Sequence, residues 1–100
     1  MVNLIALYRK PADVESFDKH YFDIHAPLVR KMPGLRKLEV TKINGAPIGE
    51  TPYHLVAEMH FDSVDAMNAA NASPEGKAVV KDLMSFAASV ITLFFGEIKE

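Results

Sequence analysis

Histidine is the side chain best suited to move a proton near neutral pH. This chain of 100 residues has four histidines and no cysteine. His25 stands out among them, since it lies at the edge of the apolar stripe of a predicted helix, two residues before Pro27. Pro27 removes a backbone donor and so frees carbonyl groups nearby. We therefore predict His25 as a catalytic acid or base. The alternative is that its ring stabilises a broken helix by hydrogen bonding a freed carbonyl.

A second group of polar side chains follows the alternating pattern of residues 53–61. Successive strand residues point to opposite faces, so His54, Glu58 and His60 are predicted to share one face. Same-side neighbours lie about 7 Å apart, a poor spacing for binding one ion, and we predict no metal site. His54 is the candidate for a second catalytic proton carrier or a group that hydrogen bonds the substrate. The alternative is a polar lining or a subunit contact.

Three tyrosines, Tyr8, Tyr21 and Tyr53, could supply phenol groups that bind a substrate in an apolar pocket. Tyr21 lies one helical turn before His25 in the predicted helix. The alternative for each tyrosine is packing in the core. The sequence has no glycine-rich phosphate loop, nucleophile elbow or dinucleotide fingerprint, so we predict no cofactor.

The elements that must position these side chains follow from the apolar pattern and from the breakers between its segments. The apolar pattern and the breakers predict strands at 2–8, 35–43, 53–61 and 90–98. They also predict a helix after Asp13 that kinks near His25, and helices after Ser63 and Ser73. This order is that of a ferredoxin-like βαββαβ subunit, an α+β fold with an antiparallel sheet and helices on one face. The last strand then lies at an edge, and its apolar run would promote aggregation unless covered. A second copy of the chain is the expected cover, which predicts a homodimer.

Length and composition restrict the remaining possibilities. One hundred residues suit a single domain spanning 1–100. A formal net charge of -2 provides no basic surface for nucleic acid. The apolar run at the N-terminus is too short for a membrane span and lacks the features of a secretory signal. We therefore expect neither a nucleic acid nor a membrane partner, and a cytoplasmic location.

Short motifs spread over nearly the whole chain form a recognisable set. They are Tyr8, Lys10-Pro11, Phe17, His20-Tyr21, His25-Ala26-Pro27-Leu28, Pro33-Gly34-Leu35, Phe61-Asp62-Ser63 and Ser73-Pro74-Glu75-Gly76-Lys77. Together they resemble the EthD-like family of dimeric α+β barrel proteins. The resemblance implies a ferredoxin-like subunit whose sheet packs on that of a second subunit, forming a barrel with the helices outside.

The resemblance also carries expectations about activity. The family takes its name from bacterial degradation of ethyl tert-butyl ether, in which a member accompanies a haem monooxygenase system. Similar barrels include lactone isomerases, polyketide cyclases and monooxygenases that need neither metal nor flavin. The His-x-Pro-Leu run is a family hallmark, and related isomerases use a histidine at the position matching His25. Glu39 falls near the position where those isomerases carry a tyrosine, which makes it a candidate for substrate binding.

These observations favour a small-molecule-binding protein or a cofactor-independent acid–base enzyme of the isomerase, cyclase or oxygenase type. Its ligand would be an apolar or aromatic metabolite in a degradation pathway. The alternative is a non-catalytic accessory protein that supports a catabolic monooxygenase system, with an oxygenase as partner. A third possibility is a structural dimer whose cleft is filled by its own side chains.

Overall fold

The computed structural model describes residues 1–100 and contains one antiparallel sheet of four strands. The strands are β1 (Val2–Arg9), β2 (Lys37–Lys42), β3 (Tyr53–Phe61) and β4 (Ile91–Glu97), in the order β2-β3-β1-β4. Crossovers between strands that are not sequence neighbours generate this order, as in ferredoxin-like folds. The predicted α+β fold is confirmed, and β4 lies at an edge as expected.

The helices lie on one face of this sheet. They are α1 (Val14–His20), a π-helical turn (Tyr21–His25), α2 (Ala26–Val29), α3 (Val64–Ala72) and α4 (Pro74–Phe86). The first three follow one another without a break and form a single helical arm between β1 and β2. None of the helices combines the length and the apolar character needed to cross a membrane.

Short polar residues start the helices where the sequence predicts. The side chains of Asp13, Ser63 and Ser73 each accept a backbone N–H from the first turn, which satisfies a donor that lacks a partner within the helix. Gly76 sits where α4 turns back on α3, and a Cβ there would collide with the carbonyl oxygen of Asn71 at 2.7 Å. The close approach of the two helices therefore requires glycine at this position.

The two faces of the sheet differ in cover. Side chains that face the helices, among them Ala6, Leu55 and Phe61, are almost completely buried in a core cluster of 17 residues. On the opposite face, Ile5 and Val56 are only partly buried. Along the edge strand, Phe94 and Phe95 are 45% and 54% exposed. The subunit thus buries one face of its sheet and leaves apolar side chains open on the other face and along β4.

Candidate active site

A cavity of about 230 Å³ lies between the covered face of the sheet and the helices. Leu4 and Met59 line it from the sheet, and Val79 and Leu83 line it from α4. Thirteen of its fifteen lining residues are hydrophobic. Such a lining does not replace the hydration of an ion, so the cavity suits a small apolar molecule.

The π-helical turn carries two of the side chains that can do chemistry at this cavity. The turn is wider than an α-helical one, because the N–H of Ala26 donates to the carbonyl oxygen of Tyr21, five residues earlier instead of four. Pro27 follows directly and has no N–H of its own. The turn places both Tyr21 and His25 in the buried cavity wall, and turns of this kind are frequent at functional sites. The predicted break in the helix is present as this turn.

The His25 ring is held by Asp82, which extends from α4. The His25 Nδ1 lies 2.9 Å from an Asp82 carboxylate oxygen, so its partner there is a carboxylate and not a carbonyl freed by Pro27. A carboxylate only accepts, so the neutral ring carries its proton on Nδ1 and keeps Nε2 as a base. Burial lowers the pKa of His25 and outweighs the bond to Asp82, which acts in the opposite direction. His25 is therefore a neutral base at neutral pH.

The same carboxylate also binds His20. The His20 Nε2 lies 2.9 Å and 3.1 Å from the two Asp82 oxygens, and the His20 ring stacks on Phe86 with centroids 4.3 Å apart. The Asp82 side chain is only 14% exposed. Bonds from two imidazoles fix the carboxylate in place, and this arrangement orients the ring of His25.

Two tyrosines complete the polar part of the cavity wall. The rings of Tyr8 and Tyr21 meet edge to face with centroids 5.6 Å apart, and the Tyr21 ring lies 5.5 Å from that of His25. The Tyr21 hydroxyl is buried without a hydrogen-bond partner in the protein. Burial raises the pKa of both phenols, that of Tyr21 to about 12, so both remain protonated donors at neutral pH. The structure thus brings Tyr8, Tyr21 and His25 together.

The structure places His54 in a different environment. Its Nε2 lies 2.6 Å from Asp18 in α1, and the Lys42 Nζ lies 3.2 Å from the second oxygen of that carboxylate. Burial by itself would raise the pKa of Asp18, but the hydrogen bonds from His54 and Lys42 outweigh it and lower the pKa. His54 packs edge to face on Phe17 and is not among the residues that line the cavity.

The prediction that His54 shares a face with Glu58 and His60 is wrong. The pairing of β1 with β3 shifts by one residue at its end, with Tyr8 opposite Leu55 and Arg9 opposite Tyr53. The extra residue is a β-bulge, which breaks the strict alternation of faces. His54 consequently points towards the helices, where it meets Asp18.

Glu39 and Tyr53 also lie away from the cavity lining. Tyr53 begins β3 beside the bulge, whereas Glu39 pairs with Glu58 on the open face of the sheet. Ligand atoms of Glu39, Glu58 and His60 lie within 4.8 Å of one another, closer than the spacing along one strand had suggested, because two strands contribute them. The carboxylates already have protein partners: Asn3 donates to Glu58 at 2.8 Å, and Lys37 lies 3.7 Å from Glu39.

The sequence reasoning overlooked Asp82, although a signal for it exists. The buried stripe of α4 contains Val79, Leu83 and Phe86, and Asp82 occupies the remaining position of that i, i+3, i+4, i+7 pattern. A carboxylate in an apolar stripe needs a partner, because burying an unpaired charge is costly. Combined with the histidines of the first helix, that position would have indicated a His–Asp pair.

Fold and site together define a ferredoxin-like α+β protein with a His–Asp pair at a buried apolar cavity. The family model of the EthD domain matches residues 9–89, and the chain belongs to this family. An ethyl tert-butyl ether degradation (EthD) family protein from Bacillus halodurans shares 49% sequence identity with this chain. Its crystal structure matches with a TM-score of 0.96 over 99% of each chain. The resemblance seen in the sequence motifs is confirmed.

More distant comparisons extend the picture of the fold. An uncharacterized 11.0 kDa protein in the thcB-thcC intergenic region of Rhodococcus erythropolis is 30% identical over 95% of this chain and 92% of its own. The hydroxynitrile lyase of Passiflora edulis is 16% identical, with a TM-score of 0.79 over 99% of this chain and 94% of the lyase. A dimeric ferredoxin-like protein from Thermobifida fusca is also 16% identical, with a TM-score of 0.73 over 97% of this chain and 90% of its own. The lyase and the Thermobifida fusca protein show only that the fold is shared. The cytoplasmic location of this chain stays a prediction.

Proposed function

We propose that this protein is a cofactor-independent acid–base enzyme that acts on a small apolar or aromatic metabolite of a degradation pathway. The observation that carries the proposal is the hydrogen bond between His25 and Asp82 at the wall of the apolar cavity. It keeps a neutral imidazole in one tautomer with Nε2 available as a base. Burial keeps that base unprotonated at neutral pH.

The chemistry that fits this wall is reversible removal of a proton from a bound ligand. His25 takes the proton, and Asp82 stabilises the imidazolium that forms. The phenols of Tyr8 and Tyr21 stay protonated, and the Tyr21 hydroxyl, which has no partner in the protein, donates a hydrogen bond to an oxygen that gains charge. His54, Glu39 and Tyr53 have no part in this step, since they do not line the cavity. The lyase from Passiflora edulis supports the proposal only to the extent that the same fold can carry an enzyme.

The direct test measures exchange of carbon-bound hydrogen for deuterium in small ketones and aromatic ligands, in heavy water, by proton NMR. The wild-type protein should catalyse exchange. His25→Gln, which retains an amide donor for Asp82, should lower the rate about 100-fold or more because a general base contributes at least that much. His54→Gln is the matched control, since His54 also bonds an aspartate but neither lines the cavity nor contacts Asp82. Exchange at the wild-type rate in folded His25→Gln would reject His25 as the base.

A second candidate function is binding without turnover, as an accessory protein of a monooxygenase system. The apolar cavity favours it, because the cavity alone is sufficient to hold a ligand. Ligand binding by the wild-type protein without any exchange would support this accessory role. Stoichiometric assembly with a purified oxygenase of the same pathway, measured by native mass spectrometry, would supply the partner.

We also propose that the active form is a homodimer that covers β4 and the open face of the sheet. The exposed Phe94 and Phe95 lie on an unpaired edge strand, which is a surface that proteins cover or charge. The related fold from Thermobifida fusca is described as dimeric, which supports the proposal. Phe94→Asp and Phe95→Asp should each give a monomer or an aggregate in light scattering after size exclusion. Normal dimers of both variants would contradict it.

A further inference from the structure

The Tyr21 hydroxyl is the unusual polar group of the cavity. Tyr21 is fully buried, and its hydroxyl has no hydrogen-bond partner in the protein. An unpartnered buried hydroxyl destabilises a fold, because it loses its hydrogen bonds to water and gains none in the protein. Phenylalanine would fill the same space without that cost, so folding does not account for the oxygen atom.

We propose that the cavity selects an uncharged carbonyl compound and binds its oxygen through the Tyr21 hydroxyl. This inference rests on the proposed function in that it uses the same cavity and the same His25. The rings of Tyr21 and His25 are 5.5 Å apart, so a ligand of modest size reaches both. The Tyr21 hydroxyl donates to the carbonyl oxygen, and the His25 Nε2 faces the neighbouring carbon.

The lining argues against a charged ligand. No lysine or arginine lines the cavity, and a carboxylate there would lose its hydration without gaining a cation. The volume of about 230 Å³ is smaller than that of pockets for drug-sized molecules. Such pockets begin at about 300 Å³, so this cavity suits a ligand smaller than a typical drug molecule.

The chemical step is balanced without any further reactant. His25 Nε2 takes a proton from the carbon beside the carbonyl, and the electrons of that C–H bond form the carbon–carbon double bond of an enolate. The π electrons of the carbonyl move to its oxygen, where the Tyr21 donor stabilises the negative charge. Return of the proton to the same or another carbon gives back the ketone or an isomer.

The test compares 1-indanone, 1-indanol and indane, which share one carbon skeleton of suitable size. Calorimetric titration of the wild-type protein should show 1-indanone binding about tenfold more tightly than indane, since one neutral hydrogen bond contributes about this much. Tyr21→Phe should abolish that preference and leave the affinity for indane unchanged. Circular dichroism checks that the variant is folded.

Two further variants identify the group that is responsible. Asn71 is the other non-hydrophobic side chain at the cavity besides His25, and Asn71→Leu should keep the preference for 1-indanone. His25→Gln should also keep it while losing deuterium exchange at the carbon beside the carbonyl. Selective ketone binding without wild-type exchange would reject the proposed enzyme and leave the binding inference intact.

The inference is overturned if the wild-type protein shows no preference for 1-indanone over indane, including the case in which neither binds. It is also overturned if 1-indanol binds more tightly than the ketone, or if folded Tyr21→Phe retains the ketone preference. Loss of the preference in Asn71→Leu alone would assign the oxygen site to the amide of Asn71.

Discussion

Two buried histidines of this protein each bind an aspartate, yet they occupy very different surroundings. His25 bonds Asp82 at the wall of an apolar cavity, whereas His54 bonds Asp18 at the bulged end of β3. The second pair also has a cation beside it, because Lys42 contacts Asp18. A His–Asp bond alone therefore does not identify a catalytic group. A histidine can act as a base only if the part of its ring that does not bind the aspartate faces a ligand site; otherwise the pair has a structural role.

The largest expected difference between the two pairs concerns catalysis. Asp82→Asn should lower the rate of deuterium exchange about 100-fold or more, because an amide no longer fixes the His25 tautomer or stabilises the imidazolium. Asp18→Asn should change the rate less than about threefold. The pH profile of exchange gives a second measurement, since replacing the carboxylate removes the bond that raises the pKa of His25. Equal losses in the two variants would remove the distinction between the pairs.

The next difference concerns stability. His54→Ala should lower the free energy of unfolding by about 2–3 kcal/mol, because it removes a buried ring and its hydrogen bond to Asp18. Urea denaturation at one fixed protein concentration measures this change. The exchange rate of the folded variant should remain near that of the wild type. A folded His54→Ala protein without exchange activity would place His54 in the mechanism after all.

The two His–Asp pairs should lose their contributions to folding stability at different pH values during acidification. The folded-state pKa of His25 lies below its usual 6.5, so below about pH 6.5 the unfolded chain binds a proton that the folded chain does not. Stability is therefore lost as the pH falls through this range. The folded-state pKa of Asp18 lies below 3.8, and its contribution is lost only under stronger acid.

Urea denaturation at pH 7.5 and at pH 5.0 checks this ordering. Between these values the wild type should lose stability relative to His25→Gln, whereas Asp18→Asn should follow the wild type. A larger change in Asp18→Asn than in His25→Gln over this range would contradict the pKa directions of the two groups.

The smallest expected effect concerns the oxygen of Tyr21. Tyr21→Phe should leave the stability of the ligand-free protein unchanged or raise it by up to about 1 kcal/mol, because it removes a buried hydroxyl without a partner. Thermal unfolding without ligand measures this change in stability. Tyr53→Phe is the control, because Tyr53 is a partly buried tyrosine outside the cavity. A clear loss of stability in Tyr21→Phe would mean that the hydroxyl has a structural role.

Much of the fold could be predicted from local patterns. The helix caps at Asp13, Ser63 and Ser73 and the break before Pro27 arise from interactions within a few residues. The strands pair with distant segments, but their apolar pattern and the breakers between them can be read locally. The apolar edge strand followed from the order of elements alone. The stripe of α4 marks Asp82 as a carboxylate that needs a partner, but its choice of His25, 57 residues away, depends on how distant segments meet. The true face of His54 depends in the same way on a one-residue register shift between β1 and β3.

The sequence by itself determined the ferredoxin-like order of elements and singled out His25 beside a broken helix. Periodicity, capping and proline act locally, so they can be read along the chain. Only the tertiary structure decided that Tyr21 and His25 share a cavity with Tyr8, that Asp82 orients the imidazole, and that His54 lies elsewhere. Those relations depend on the packing of α4 against the π-helical turn and on the pairing of β1 with β3, which join residues far apart in the chain.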